Sequence, residues 1–190
     1  GYRNHGYQIK NRMTNKYRGV IGGQKRKMYE LDDDSLIYSI GTQVHFTAEI
    51  NNDTIEALIK EITKVVNENL PKFGATDEKV TITYIVDSPG GSVTSVLKFV
   101  DFISMVKNKH KHIEFASIIT GLAASAGTIM CVIADRKYMT KHAFAMIHEL
   151  SSGNAGGYTK LLSYSKFIES MHNKLTSIYL NNCKLDKEKL

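Results

Sequence analysis

The chain has 190 residues, of which 42% are hydrophobic and 23% are charged, as expected of one globular domain with its own core. No apolar run approaches the roughly 18 residues of a membrane-spanning helix, and the N-terminus lacks the apolar core of a signal peptide. Cys131 and Cys183 are too few for a disulfide framework, so we expect a reducing compartment and a buried thiol at Cys131.

The net charge of +6 is concentrated at the N-terminus. Residues 1–30 carry eight Lys and Arg against the single acid Glu30, a net of +7, which leaves −1 for residues 31–190. We therefore predict a basic N-terminal arm at residues 1–30 and one domain at residues 31–190. No stacking or base-reading motif accompanies the arm, so nucleic acid is not the expected partner.

The first elements after the arm are a strand and a helix. Residues 36–40 are predicted as a strand that continues at residues 44–46 after a turn at Gly41. Asn52 and Asp53 are expected to cap a helix with apolar residues at helical spacing. These apolar residues are Ile55, Leu58, Ile59, Ile62, Val65 and Val66.

The middle of the chain predicts two strands, each followed by a helix. Residues 80–86, VTITYIV, are a strand by their β-branched and aromatic composition. The loop DSPGG at 87–91 leads into a helix with apolar positions at Val96, Phe99, Val100, Ile103 and Val106. Another strand is predicted at residues 113–119. GLAASAG at 121–127 is then the turn into a buried helix at 128–134.

The last third predicts short strands at 138–139 and 143–147, a flexible loop at 151–157 and an amphipathic helix over about 159–180. Because strands alternate with helices, we expect a mostly parallel sheet with right-handed crossovers. Functional loops of such sheets collect at the carboxyl ends of the strands, where DSPGG and GLAASAG both lie.

Ser125, the hydroxyl within GLAASAG, is either the cap of the following helix or a nucleophile. A serine nucleophile needs a base for its proton and hydrogen-bond donors for the oxyanion that forms on attack. The glycines of SPGG can supply a backbone donor. His148 ends an apolar strand and precedes a loop, a suitable position for the base.

Three motifs together resemble the proteolytic subunit of the Clp protease, the ClpP family: SPGG at 88–91, GLAASAG at 121–127 and AMIH at 145–148. The resemblance runs from about residue 37 to about residue 180. It implies an α/β fold of the ClpP/crotonase type, with repeated β-α-β units, a mostly parallel sheet and a protruding handle helix.

The resemblance also implies roles for individual residues of a serine endopeptidase. Ser125 would be the nucleophile, His148 the general base, and the amides of Gly91 and Ala126 the oxyanion hole. No metal or cofactor is implied. Unfolded polypeptides would be cleaved inside a homo-oligomeric chamber of two stacked heptameric rings, fed by a hexameric AAA+ Clp ATPase that consumes the ATP. The expected location is the cytoplasm, an organellar matrix or stroma, or the host cytoplasm for a viral protein.

The sequence departs from the family pattern at several positions. Glu149 and Leu150 follow the histidine where glutamine and proline are usual, Asp87 replaces an asparagine, and Ala126 replaces a commoner methionine. The triad aspartate of the family lies beyond the handle helix, which by spacing falls past Leu190. Four explanations for the missing aspartate remain. Either the natural chain is longer, or Asp186 acts from a rearranged tail. Otherwise the protein works with a Ser–His pair alone or is an inactive ring partner.

The sequence is also compatible with three functions other than that of a ClpP-type peptidase. DSPGGSV also resembles the signal-peptide-peptidase-like proteases, which use a lysine base; Lys166 or Lys174 would then have to approach Ser125. A non-enzymatic ring subunit is a second alternative. A crotonase-type hydratase shares the general fold but gives His148 and the serine turn no role, and we place it last.

Overall fold

The computed structural model describes residues 36–70, 79–148, 150–151 and 155–184. The strands are β1 (Ile37–Ile40), β2 (Gln43–Thr47), β3 (Val80–Ser88), β4 (Ile113–Ala124), β5 (Arg136–Met139) and β6 (Phe144–Met146). The helices are α1 (Asn52–Asn69), α2 (Val93–Lys109), α3 (Ala126–Val132) and α4 (Tyr158–Asn182). The predicted arm at residues 1–30 and Asp186 lie outside the described residues.

The sheet has the strand order β1-β2-β3-β4-β5, and β6 also pairs with β4. Every pairing from β2 onward is parallel, so the predicted α/β architecture with a mostly parallel sheet is confirmed. The predicted turn at Gly41 and the strand over residues 44–46 are confirmed, and the second segment is a separate strand, β2. Gly41 adopts a left-handed φ of +59°, and the chain folds back so that β1 and β2 pair antiparallel.

The start of α1 corrects one prediction, because the capping residue is Asn51 rather than Asn52 and Asp53. The Asn51 side chain accepts a hydrogen bond from the Thr54 N–H at 2.9 Å, and the Thr54 hydroxyl accepts one from the Asn51 N–H at 3.0 Å. This reciprocal pair requires an extended backbone at the cap, and Asn52 is already helical.

The core lies between the sheet and the helices, and its largest members are aromatic. Tyr84 of β3 is fully buried and meets Phe99 of α2 edge-on, with ring centroids 5.4 Å apart. The Tyr84 hydroxyl donates to the Met130 carbonyl at 2.6 Å, which joins the sheet to α3. Burial raises the pKa of Cys131 to about 12, so this thiol is a packing residue and not a nucleophile.

The β4 strand is longer than the predicted segment 113–119. It continues through Ala124, so the first four residues of GLAASAG are strand and not turn. They are held there by pairing with β6. The small residues suggest a turn, but the partner strand decides the conformation.

The long helix α4 covers the predicted segment 159–180 and extends it slightly at both ends. Most of its residues are exposed, and Tyr179 is the one buried residue along its length. The loop before it was predicted at 151–157. Residues 152–154 of that loop lie outside the described part of the chain, as do Pro71 and Gly74 after α1.

Asp135 ties together three elements next to the core. Its carboxylate accepts a hydrogen bond from the Phe115 N–H at 2.8 Å and pairs with Lys107 at the end of α2. Partial burial opposes ionisation, but the Lys107 ammonium and the Phe115 amide outweigh it and lower the pKa of Asp135 below its ordinary 3.8.

We predict that Asp135→Asn lowers the free energy of unfolding by about 1 kcal/mol at neutral pH. A lowered pKa in the folded state stabilises the fold above pH 3.8. That contribution disappears as the pH falls from 3.8 through the lower folded value, so the two proteins should converge there. Denaturant midpoints over a pH series measure this, with Glu68→Gln on exposed α1 surface as control. A difference that does not change with pH would contradict the electrostatic explanation.

Candidate active site

Three loops meet at the carboxyl edge of the parallel strands β3, β4 and β6. In the register, Ser88 pairs with Ala123, and Ala124 pairs with Met146. The loops that leave these strands therefore start beside one another, as expected for parallel neighbours. These are the three segments that the sequence analysis singled out.

Ser125 stands between β4 and α3 in an unusual backbone conformation. Its φ of 53° and ψ of −121° make it the one non-glycine residue with a positive φ in the described part of the chain. Such a conformation costs about 1–3 kcal/mol and persists only where neighbours enforce it. Ser125 occupies the N-cap position of α3, but its side chain makes no capping hydrogen bond to that helix, so the hydroxyl is not used as a cap.

Hydrogen bonds hold both sides of the Ser125 backbone. Its N–H donates to the Met146 carbonyl at 2.8 Å. Its carbonyl accepts from the Thr128 N–H at 3.0 Å and from the Thr128 hydroxyl at 2.6 Å. The serine is therefore fixed between β6 on one side and the first turn of α3 on the other.

Gly90 of the SPGG loop lies directly against the serine turn. A Cβ at this position would stand 2.5 Å from the Ala124 carbonyl oxygen and 3.0 Å from the Ser125 Cβ, and φ at Gly90 is +92°. Only glycine allows the two loops to approach so closely. The Gly90 N–H donates to the buried Ser88 hydroxyl at 3.1 Å, which fixes the loop from within.

Gly91 forms an isolated parallel bridge with Ile50, just before α1. The Ile50 N–H donates to the Gly90 carbonyl, and the Ser92 N–H donates to the Ile50 carbonyl, both at 2.8 Å. These bonds use the groups on either side of Gly91, so its own N–H points away from Ile50. Ala126 is buried at the first position of α3, where an N–H has no partner within the helix. Their role as oxyanion donors stays a prediction.

His148 follows β6 by two residues and is exposed. Ala124 of β4 pairs with Met146 of β6. Ser125 lies one residue beyond Ala124, and His148 lies two residues beyond Met146. Two residues span at most about 7 Å of extended chain, so the serine and the histidine leave neighbouring strands at the same edge. The assignment of His148 as base stays a prediction. Glu149 and Asp186 lie outside the described residues.

Asp87 has a structural role that its sequence context did not predict. Between the pairs Val86–Ile119 and Ser88–Ala123 the register shifts, and β4 bulges opposite Asp87. The Asp87 carboxylate accepts a hydrogen bond from the Leu122 N–H at 3.1 Å. It also fills the space beside Gly121, where a Cβ would lie 2.8 Å from both carboxylate oxygens. The sequence signal that could have indicated this role is a carboxylate at the end of a strand, in a chain that also has a glycine-rich turn after the next strand.

The bulge marks the point at which β4 changes partners. Before it, residues 116–119 pair with β5; after it, residues 122–124 pair with β6. The change brings β6, and with it His148, to the strand that carries Ser125.

The two lysines of the alternative mechanism lie on α4. Lys166 and Lys174 line a groove with Leu97 and Asp101 of α2, and Ser125 is not part of that groove. Within the described ranges, no group of three or more His, Cys, Asp or Glu residues is arranged to hold a metal ion. None of the helices described is both long enough and apolar enough to cross a membrane.

The fold and the loops define an α/β domain with a strained serine displayed at the carboxyl edge of its parallel sheet. The family model described as Clp protease matches residues 42–190. The chain is also 26% identical over 165 residues to a protein of Chlamydia trachomatis serovar D named ATP-dependent Clp protease proteolytic subunit 1, covering 84% of this chain and 77% of the relative.

Two other proteins with that name are similar over shorter stretches. The one from Protochlamydia amoebophila is 34% identical over 109 residues, covering 55% of this chain and 50% of the relative. The one from Chlamydia caviae is 31% identical over 103 residues, covering 52% and 51%. This chain belongs to the Clp protease family, which confirms the resemblance and the fold class predicted from the three motifs.

We predict that Gly90→Ala disrupts the serine turn while leaving the fold intact. The added methyl group would overlap the Ala124 carbonyl and press on Ser125, so the reaction of Ser125 with a fluorophosphonate probe should slow at least about ten-fold. Gly41→Ala is the matched control, since it also has a positive φ but nothing within 4 Å of the new methyl group. Equal labelling of the two variants would show that the close approach is unimportant.

Proposed function

We propose that this chain is a subunit of a serine endopeptidase of the ClpP type, with Ser125 as the nucleophile. The observation that carries the proposal is the Ser125 conformation. A strained serine without a capping bond, pressed against a glycine loop and bonded to β6, has the placement of an activated nucleophile. Membership of the Clp protease family supports the same chemistry.

The proposed reaction is acyl transfer in two stages. The Ser125 Oγ attacks the peptide carbonyl carbon while His148 takes the hydroxyl proton. The N–H groups of Gly91 and Ala126 donate to the oxyanion. The C–N bond then breaks as His148 returns the proton to the leaving amine. Water, deprotonated by His148, attacks the acyl-enzyme and releases the acid together with free Ser125.

The third member of the triad is not assigned. Asp186 is the aspartate that this chain offers after α4, and a residue of a longer chain is the alternative. Without such a group the imidazole loses control of its orientation and tautomer, which costs about four orders of magnitude in kcat in a triad protease. A Ser–His pair would then leave a slow peptidase or an inactive ring partner.

The proposed substrates are unfolded polypeptides that a hexameric AAA+ ATPase delivers to an enclosed chamber. The relatives are named as ATP-dependent proteolytic subunits, which supports a partner of this kind. ATP would be consumed by that partner, and we propose no cofactor or metal for this chain. Free thiols at Cys131 and Cys183 favour a reducing compartment such as the cytoplasm.

Exposed apolar side chains support assembly into rings. On α4, Tyr158 is 80% exposed and Phe167 50% exposed, and Leu161 and Leu162 are also exposed. On β6, Phe144 is 72% exposed. Apolar surface of this extent on two elements is typical of interfaces. We propose that the chain forms two stacked heptameric rings that meet through the handle helix α4.

Ser125→Ala is predicted to abolish fluorophosphonate labelling and hydrolysis of a fluorescent unfolded polypeptide. His148→Ala is predicted to lower kcat by about 10³-fold or more, because no base then takes the serine proton. The control is His142→Ala, which removes an exposed imidazole from the turn between β5 and β6.

The two alternatives give different outcomes in that experiment. Full activity of His148→Ala, together with loss of activity in Lys166→Ala or Lys174→Ala, would favour the lysine mechanism. An assembled wild-type protein whose Ser125 takes up no fluorophosphonate would leave only a non-enzymatic ring subunit.

Light scattering is predicted to find a particle many times the chain mass of 21.3 kDa. Leu161→Asp together with Leu162→Asp should break this particle into smaller species, since the charges would have to be buried in the interface. Ser165→Asp, an exposed polar position on the same helix, is the control. A wild-type monomer at high concentration would contradict the chambered assembly.

A further inference from the structure

A buried pair of hydroxyl groups connects the last turns of α4 to the serine turn. Tyr179 of α4 is 6% exposed and Thr128 of α3 is 3% exposed. Their hydroxyl oxygens lie 2.5 Å apart, and the Thr128 oxygen lies 2.6 Å from the Ser125 carbonyl oxygen. The three residues form a continuous chain of hydrogen bonds from α4 to Ser125.

The number of hydrogens on each group decides which hydroxyl donates in each of these hydrogen bonds. A carbonyl oxygen can only accept, so the Thr128 hydroxyl donates its one hydrogen to Ser125. The Tyr179 hydroxyl must then donate to Thr128. Burial raises the pKa of Tyr179 above its ordinary value of 10.0, so the phenol keeps the hydrogen that it donates.

The group held by this chain belongs to the peptide that joins Ser125 to Ala126. A peptide unit is planar and trans, so its carbonyl and its N–H point in opposite directions within one plane. Fixing the Ser125 carbonyl therefore fixes the direction of the Ala126 N–H. That N–H is one of the two proposed oxyanion donors, and its direction matters most when charge develops on the substrate oxygen.

We propose that Tyr179 is a positioning residue, whose hydroxyl acts through Thr128 to aim the Ala126 N–H at the oxyanion. This inference rests on the proposed peptidase function. The Thr128 N–H also bonds the Ser125 carbonyl, so loss of the tyrosine hydroxyl loosens the peptide plane without releasing it. The ring of Tyr179 contributes packing, and Tyr179→Phe removes the hydroxyl alone.

The test uses the assembled wild-type protein and the Tyr179→Phe variant with a peptide substrate. We expect kcat to fall by about ten- to a hundred-fold, less than the 10²–10³-fold cost of deleting an oxyanion donor, with KM unchanged. A peptide aldehyde, which forms a tetrahedral adduct carrying the oxyanion, should bind the variant more weakly by a similar factor. Tyr164→Phe on the same helix is the matched control.

Thr128 supplies a second route to the same answer. Thr128→Ser keeps the relay hydroxyl and should retain near wild-type kcat, whereas Thr128→Val removes the bond to the Ser125 carbonyl itself and should lose at least as much as Tyr179→Phe. The double variant Thr128→Val with Tyr179→Phe should be no worse than Thr128→Val alone, because both changes break one chain.

The outcomes separate this inference from the function on which it rests. Unchanged kcat and aldehyde binding in Tyr179→Phe, with an active wild-type protein, would overturn the role of Tyr179 and leave the peptidase intact. Equal kcat in Thr128→Ser and Thr128→Val would do the same. A wild-type assembly without any peptidase activity would overturn the proposed function and the inference with it.

Discussion

The backbone of Ser125 is the constraint on which the rest of the site depends. Its positive φ costs about 1–3 kcal/mol, and neighbours from three different parts of the chain enforce it. The Met146 carbonyl accepts a hydrogen bond from the Ser125 N–H, and the N–H and hydroxyl of Thr128 donate to the Ser125 carbonyl. Gly90, which has no side chain, leaves room for the Ser125 Cβ. The Ser125 side chain makes no hydrogen bond that caps the following helix, so its hydroxyl is not used in holding α3.

The bulge opposite Asp87 is what allows these neighbours to meet. A regular ladder would carry β4 on beside β5, and β6 would have no place next to the serine. The extra residues in β4 instead let the strand exchange β5 for β6, and the Asp87 carboxylate satisfies the Leu122 N–H that the bulge removes from the ladder. An asparagine would keep the same acceptor oxygen, so the departure from the family pattern at this position preserves the hydrogen bond.

Local patterns were sufficient to predict most elements and the edge of the sheet where the site lies. Helical periodicity located α1, α2 and α4, and β-branched composition located β3, because these signals depend on neighbours in sequence. The strand conformation of residues 121–124 was missed because it depends on pairing with β6, about 20 residues away in sequence. The bond between Thr128 and Tyr179 joins residues 51 apart, and nothing in either local sequence announces it. The proposed role of the serine followed from three motifs read together, whereas its positive φ required the structure.

The exposure of β6 connects the chemistry to assembly. Phe144, Met146 and Ile147 are each about half exposed or more, and they immediately precede the exposed His148. Charge on an imidazole and an oxyanion is stabilised most strongly by fixed dipoles where water is excluded. In a single chain this edge faces solvent, so the proposed oxyanion donors would act in competition with water. Covering β6 with a second copy would remove apolar surface from water and lower the local dielectric around His148 in the same step. The interaction that would drive the proposed ring formation would then also complete the environment that the proposed reaction needs.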